Sequence, residues 1–448
     1  MSDISFRQAL AFWLKLGFIS FGGPAGQIAI LHQELVERRR WISERRFLHA
    51  LNYCMLLPGP EAQQLATYMG WLMHGTKGGI VAGVLFVAPS LVILIALSWA
   101  YMAFGHVPWV TAILYGIKPV VLALVIHAAH RMGSKTLHTP WLAGLSLVSF
   151  GAMVMGLPFP LIVLTAALAG WCLGKFKPLA LGASTQAKPV QDKWSGETEQ
   201  APIWLDDDTP PMPHTRFSWS GLGKVMLVGL ALCAVPLLTL SATLGWQHAY
   251  SQMAWFFTKA ALLTFGGAYA VLPYVAQGAI THYAWITPMQ MMDGLALGES
   301  TPGPLIMVVT FVGFVGAYTH QLLGPNAPAL AGIAAACLVT WFTFLPSFVL
   351  IFAGAPLIET THGRMAFTGP LTAISAAVVG VIAHLALFFA YNILWPNGWG
   401  VSIDISATIM TVASLWALIR LKAHVIPVIA AGGLMGLLVQ WGRPLLFP

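Results

Sequence analysis

The sequence predicts an all-α polytopic membrane protein: two inverted homologous repeats with broken or re-entrant helices, joined by a cytoplasmic linker and one extra transmembrane helix. Three observations carry this reading. Of 448 residues, 58% are hydrophobic and only 8% charged, whereas a soluble globular domain carries about 25% charged residues. A Pro-Gly-Pro interrupts apolar sequence twice, at Pro58-Gly59-Pro60 and Pro302-Gly303-Pro304. Neither can be the middle of a regular helix, because proline removes a backbone donor and clashes with the preceding turn while glycine adds backbone freedom. Broken backbone at membrane depth is tolerated only where protein buries it or a watery cavity solvates it, so the two breaks are expected to face each other across a solute site. Finally, the two halves of the chain repeat one another.

The repeat holds one constant offset without a gap. Phe12 aligns with Phe256, Lys15 with Lys259, Ser20-Phe21-Gly22-Gly23 with Thr264-Phe265-Gly266-Gly267, and Trp41-Ile42 with Trp285-Ile286, before the two Pro-Gly-Pro motifs coincide. A longer offset then pairs Pro89-Ser90 with Pro346-Ser347 and His127 with His384. The chain divides accordingly into a first membrane repeat at 5–175, a polar linker at 176–220, a connecting transmembrane helix at 221–245 and a second, inverted repeat at 249–441.

Taken in order, the N-terminus carries Asp3 and Arg7 and lacks a small-residue cleavage pattern, so the first membrane segment, not a cleavable signal, is expected to direct insertion. Residues 6–31 are expected to fold back at Gly22-Gly23-Pro24, and 48–71 to form a re-entrant hairpin at Pro58-Gly59-Pro60. Residues 78–104, 109–129, 141–155 and 159–173 then supply four crossings, the first two as long as the ~20 residues that a spanning helix uses or longer. Loop charges set the orientation. Arg38, Arg39, Arg40, Arg45, Arg46, Arg131, Lys135, Lys175 and Lys177 mark inside loops of the first repeat, while Arg364, Arg420 and Lys422 mark those of the second. A plain crossing by 48–71 would put five arginines outside; the alternative of thirteen plain crossings keeps the inversion but breaks the charge rule there. The N-terminus and linker are therefore expected in the cytoplasm and the C-terminus outside. The linker, rich in Pro, Ser, Thr and charge and containing Asp206-Asp207-Asp208, reads as solvated chain.

The net charge of +7 reflects this loop bias and not a nucleic-acid footprint, so the lipid bilayer is the expected partner and nucleic acid is not. Cys54, Cys172, Cys233 and Cys337 are scattered singly, and neither a disulfide framework nor a metal site is indicated. No G-x-x-x-x-G-K-[ST], H-E-x-x-H or G-x-S-x-G occurs, which argues against a built-in ATPase, a cofactor-dependent reaction or a hydrolase.

Ionisable residues are sparse inside the repeats, and each is a functional candidate. Lys15 and Lys259, aligned and each seven residues before the glycine pair (Gly22-Gly23 or Gly266-Gly267), would suit an anion if both pointed at a shared centre, together with helix N-termini formed after the breaks; the alternative is two lysines snorkelling to the interface. Ser300 and Thr301, with Thr67 and Thr310, are hydroxyls near the breaks that could donate to oxygen atoms or bond back to their own helices. Glu61, Asp293 and Glu299 are candidates for coupling or polar lining, with a structural role for the two glutamates the simpler reading. His127 and His384 could relay protons or serve as hydrogen-bonded packing residues.

The stretches Phe21-Gly22-Gly23-Pro24-Ala25-Gly26-Gln27-Ile28-Ala29, Glu34-Leu35-Val36-Glu37-Arg38-Arg39-Arg40-Trp41-Ile42 and Leu57-Pro58-Gly59-Pro60-Glu61-Ala62 resemble the chromate ion transporter (CHR) family. The second half repeats the likeness in Phe265-Gly266-Gly267-Ala268-Tyr269-Ala270-Val271-Leu272-Pro273 and Thr301-Pro302-Gly303-Pro304. The resemblance, to two-domain members, implies a secondary transporter of the bacterial inner membrane that exports chromate and confers chromate resistance. A carrier for sulfate or another tetrahedral oxyanion, working as an uptake system, has the same requirements of shape and charge. A membrane enzyme or sensor is the third class, and it lacks a catalytic motif.

Overall fold

The computed structural model describes residues 4–21, 23–176, 204–206, 212–265, 267–360, 368–396, 398 and 402–446. Over these the chain is all-α, with sixteen α-helices and one isolated bridge between Ile42 and Leu205.

The first repeat opens with α1 (Phe6–Ile19), started by a capping box in which the Ser5 hydroxyl accepts from the Gln8 N–H and the Gln8 side chain accepts from the Ser5 N–H. α2 (Gly23–His32) follows the glycine break and loosens into a π-helical turn at Gln33–Arg38. α3 (Glu44–Leu56) starts at the capping hydroxyl of Ser43 and stops before Pro58. α4 (Glu61–Phe104) is kinked by non-helical backbone at His74 and Gly75, so it is two rods, 61–73 and 76–104. At ~1.5 Å per residue the arms α1, α2, α3 and the first rod of α4 are each about 15–21 Å long, short of the ~30 Å hydrocarbon core. No single arm is therefore long enough to cross on its own, which fits the expectation of broken or re-entrant segments. α5 (Pro108–Thr136), α6 (Pro140–Val154) and α7 (Phe159–Phe176) complete the repeat.

α8 (Trp219–Leu244) is the connecting helix, and Gly229 is its single buried residue. The second repeat restates the first: arms α9 (Ala249–Leu263) and α10 (Ala268–Ala276), a π-helical turn at Gln277–His282, arms α11 (Pro288–Ser300) and α12 (Val308–Thr319), then α13 (Pro328–Thr360), α14 (Thr368–Leu394), α15 (Ile405–Ile419) and α16 (Val425–Leu446). Where the first repeat has only a kink at His74-Gly75, the second has an open connection between α12 and α13, and the longer offset of the later pairs is taken up there. Helices α4, α5, α8, α13 and α14 are long and apolar enough to span a membrane, with shorter apolar helices beside them.

The repeats pack through each other. α4 lies against α12 and α13, and α5 lies against α14, α15 and α16. Small residues allow this closeness: a Cβ on Gly116 of α5 would lie 2.0 Å from the Gly432 carbonyl oxygen of α16, the small-residue contact of membrane helices. One buried cluster surrounds α10, α11, α12 and α14, and a second surrounds the arms of the first repeat.

The expectation of a solvated linker needs correction where the linker is described. Leu205 is buried within the arms of the first repeat, accepting from the Ser43 N–H and donating to the Trp41 carbonyl. Trp204 stacks on His74 and the His214 ring meets Trp71 edge-on. An indole and an isobutyl group among polar residues gain more from this apolar surface than from water. Of the acidic run, Asp206 is described and exposed, while Asp207 and Asp208 lie outside the described residues.

Candidate functional site

The breaks meet, and their bonding follows from proline chemistry. Each Pro-Gly-Pro has a single backbone N–H, on its glycine, since proline has none. That donor is used across the repeats in both cases. The Gly59 N–H donates to the Thr264 carbonyl at 2.7 Å, and the Gly303 N–H donates to the Ser20 carbonyl at 2.8 Å. Ser20 and Thr264 are equivalent, as are Gly59 and Gly303, so the pair is reciprocal, as a two-fold axis between repeats requires. The Ser20 and Thr264 hydroxyls each bond back one turn, to the carbonyls of Leu16 and Ala260 at 2.6 Å, ending α1 and α9 and leaving the residues' own carbonyls for the crossing.

Only glycine fits the middle of each motif. Gly59 has φ +128° and Gly303 φ +107°, a region closed to side chains. A Cβ on Gly59 would lie 2.4 Å from Ser347 Oγ, and one on Gly303 would lie 2.7 Å from Ser90 Cβ. Ser90 and Ser347 are themselves equivalent. Pro58, Pro60, Pro302 and Pro304 bracket the two glycines, and Pro302, Gly303 and Pro304 are all buried.

Two buried glutamines lock the crossings, and the sequence reading did not single them out. Gln27 Nε2 donates to the Gly303 carbonyl and also meets the Ser20 carbonyl. Gln64 Nε2 donates to the Pro58 carbonyl at 2.7 Å and lies 3.5 Å from Ser347 Oγ. The repeat-mates of Gln27 and Gln64 are Val271 and Val308, so both amides come from the first repeat, one to each crossing. Their Oε1 atoms, Gln63 Oε1 and Ser90 Oγ are buried without a hydrogen-bond partner among the described residues. The available signal was amide side chains one turn past a break in otherwise apolar sequence.

Helices begin on the far side of every break: α2 at Gly23, α4 at Glu61, α10 at Ala268 and a 3-10 turn at Leu305. Their first N–H groups have no intrahelical partner, and the macrodipole makes each start electropositive. Glu61 stands at two of them. It opens α4, and its Oε1 lies 3.8 Å from the place of a Gly267 Cβ, beside the start of α10. Its repeat-mate is Leu305, so the equivalent position beside α2 carries no carboxylate.

The other expected residues are placed variously. Gly22 and Gly266 lie outside the described residues, while Gly23 and Gly267 have φ +68° and +97° and start α2 and α10. The lysines do not converge. Lys15 is on the exposed face of α1, and Lys259 is half-buried with its ammonium 5.4 Å from the centre of the Trp255 ring, itself exposed. The faces of α1 and α9 that enter the core belong to Phe12, Trp13 and Leu16 and to Phe256, Phe257 and Ala260, which turns the lysines outward. Ser300 and Thr301 donate to the Leu297 and Gly298 carbonyls, so these hydroxyls close the end of α11. Glu299 accepts from the Tyr269 hydroxyl. Asp293, 2% exposed, accepts from the Tyr101 hydroxyl at 3.0 Å and lies 3.6 Å from Lys118 Nζ; it joins α11 of the second repeat to α4 and α5 of the first. Lys118, a lone cation in an apolar run, was legible but unused. His127 and His384 sit in α5 and α14; His384 lines a cavity of about 240 Å³ with Pro273 and Gln277, and His127 Nδ1 has no partner among the described residues.

The comparisons agree with this duplicated architecture. The family model described as chromate transporter matches residues 7–171 and again 251–437. The chromate transport protein of Pseudomonas aeruginosa is 30% identical over 440 residues, covering 97% of this chain and 93% of that one. The chromate transport protein of Cupriavidus metallidurans is 28% identical over 438 residues, covering 96% and 92%. An uncharacterized transporter of Bacillus subtilis is 28% identical over 146 residues, 32% of this chain but 74% of its own length, as a relative built on one repeat would be. No solved structure matches. The family is one of transporters and not of enzymes. With two matched repeats that together cover most of its length, this multi-pass membrane protein belongs to the chromate transporter family.

Proposed function

We propose that the protein is a secondary transporter that exports chromate from the cytoplasm across the inner membrane and so confers chromate resistance, with its N-terminus and linker inside and its C-terminus outside. The observation that carries the reading is the reciprocal crossing, Gly59 to Thr264 and Gly303 to Ser20. It gathers four helix starts at one place, and uncommitted backbone N–H groups at helix starts are an anion site. The start of α2, whose equivalent carboxylate position is Leu305, is where the oxyanion is placed; the start of α10, beside Glu61, is already balanced. The pathway lining then comprises Gly23, Pro58, Gly59, Pro60, Gly267, Pro302, Gly303 and Pro304, and Lys15 and Lys259 are left to the lipid-facing surface.

The energetics fit export without nucleotide. A dianion leaving a negative interior gains about 2.3 kcal/mol per charge per 100 mV, or about 4.6 kcal/mol, enough for a gradient above about a thousandfold. A carrier for sulfate or another tetrahedral oxyanion is the second reading, favoured by the same backbone donors, which recognise charge and shape and not the central atom. Labelled chromate flux into everted vesicles, with and without excess sulfate, separates the two. Potential-driven accumulation that resists sulfate supports chromate export; sulfate accumulation with no chromate flux refutes it.

A further inference from the structure

Helices α4, α8 and α13 enclose a trough of about 340 Å³ that the transport reading does not use. Ile80 and Val84 of α4, Val228 and Leu232 of α8 and Phe348 of α13 wall it, and Lys224 is its one charged lining residue. No described lining residue is acidic. The polarity is therefore graded along one axis, basic at one end and apolar beyond.

The basic end is also the linker end. Lys224 stands in the second turn of α8, and the exposed Arg216 precedes that helix by three residues. Exposed Lys77 is the second residue of the second rod of α4, one turn before Ile80. Both helices run away from this end. From Lys224 to Leu232 α8 rises about 12 Å, most of the ~15 Å that one leaflet contributes to the hydrocarbon core. A cationic rim above an apolar slot of leaflet depth matches one molecule class, a phospholipid with an anionic headgroup.

We propose that this trough is a binding site for one anionic phospholipid of the leaflet on the linker side, its phosphate at Lys224 and one acyl chain between α8 and α13. The site backs onto the crossing. Phe348 and Phe352 rest on Gly83 and Gly79 of α4, where added Cβ atoms would lie 2.5 Å and 2.6 Å away, and the adjacent Ser347 rests on Gly59. Gly229 is pressed against Val349, 2.4 Å from the place of its Cβ, so the depth of the trough is set by direct α8 to α13 contact.

Native mass spectrometry of the delipidated full chain, with dioleoyl phosphatidylglycerol and dioleoyl phosphatidylcholine added back in equal amounts, tests this. The wild type is expected to retain one phosphatidylglycerol in preference to phosphatidylcholine. One basic residue near an anionic group is worth about fivefold, so Lys224→Glu is expected to lower phosphatidylglycerol retention about thirtyfold. Val228→Trp fills the slot and is expected to abolish it. Leu230→Trp, on the opposite, lipid-facing side of α8, is expected to retain phosphatidylglycerol as the wild type does. Absence of headgroup preference in the wild type, undiminished retention in Lys224→Glu, or equal loss in Leu230→Trp overturns the assignment. The Lys224→Glu arm alters an exposed side chain and decides the matter even if the indole at position 228 prevents folding.

Discussion

Replacing Gly303 by alanine attacks the crossing through one methyl group. Two costs add. At φ +107° a residue with a Cβ is strained by about 1–3 kcal/mol. The new carbon would also lie 2.7 Å from Ser90 Cβ, and Ser90 is buried on α4, so the contact is relieved by moving helices; overpacking of this kind costs about 1–3 kcal/mol. The sum, about 2–6 kcal/mol, is a large part of the ~5–15 kcal/mol that holds a typical domain. Gly303→Ala is therefore expected to melt well below the wild type in detergent and to lose chromate flux in everted vesicles. Ser90→Gly in the same chain removes the clash but not the backbone strain, so the double variant is expected to recover about half of the loss. Gly223→Ala in α8, where nothing lies within 4 Å, is the matched control and is expected to change stability by no more than about 1 kcal/mol. A Gly303→Ala protein that melts and transports like the wild type would refute the reasoning.

Two further predictions concern charge. Lys118→Ala leaves the Asp293 carboxylate buried with the Tyr101 hydroxyl as its remaining partner, expected to cost about 3 kcal/mol, the low end for a broken buried pair because Lys118 is partly exposed; the double variant Lys118→Ala/Asp293→Asn should regain most of it in a thermal melt, and equal instability of single and double variants would count against the ion pair. Lys15→Ala is expected to leave chromate flux and melting at wild-type levels, and Lys259→Ala to lose only the cation–π contact with Trp255, about 0.5–1 kcal/mol; abolished flux in either variant, with expression intact, would return that lysine to the pathway.

Much of the architecture was legible because membrane insertion imposes few and strong rules. Apolar runs longer than about 20 residues marked the spanning helices, and a Pro-Gly-Pro in such a run could only be a break. The duplicated register of Ser20-Phe21-Gly22-Gly23 and Pro58-Gly59-Pro60 foretold that the breaks correspond. The lysines show the limit of that logic. Lys15 and Lys259 are as faithfully repeated as the glycines, but repetition conserves a position on a helix and does not say which face of the helix is buried. Helical phase decided it, with Phe12, Trp13 and Leu16 taking the inward face. The linker misled for a related reason. Its average composition is polar, while its docking depends on Trp204 and Leu205 alone.

The sequence by itself determined the helices, their breaks and the two-fold duplication, because spanning length, proline's missing donor and glycine's positive φ are local properties. Only the tertiary structure decided what the breaks bond to. Each Pro-Gly-Pro has one N–H, and whether it meets water, a ligand or protein depends on which backbone carbonyl lies opposite, more than two hundred residues away in the chain (Gly59 to Thr264, Ser20 to Gly303). The same long-range packing brought Gln27 and Gln64 to crossings that their own repeat does not complete, and set Glu61 beside the start of α10 but Leu305 in the equivalent place. Duplication wrote the symmetry into the sequence, and the asymmetry arises where unlike side chains, Glu61 and Leu305 among them, meet across the axis.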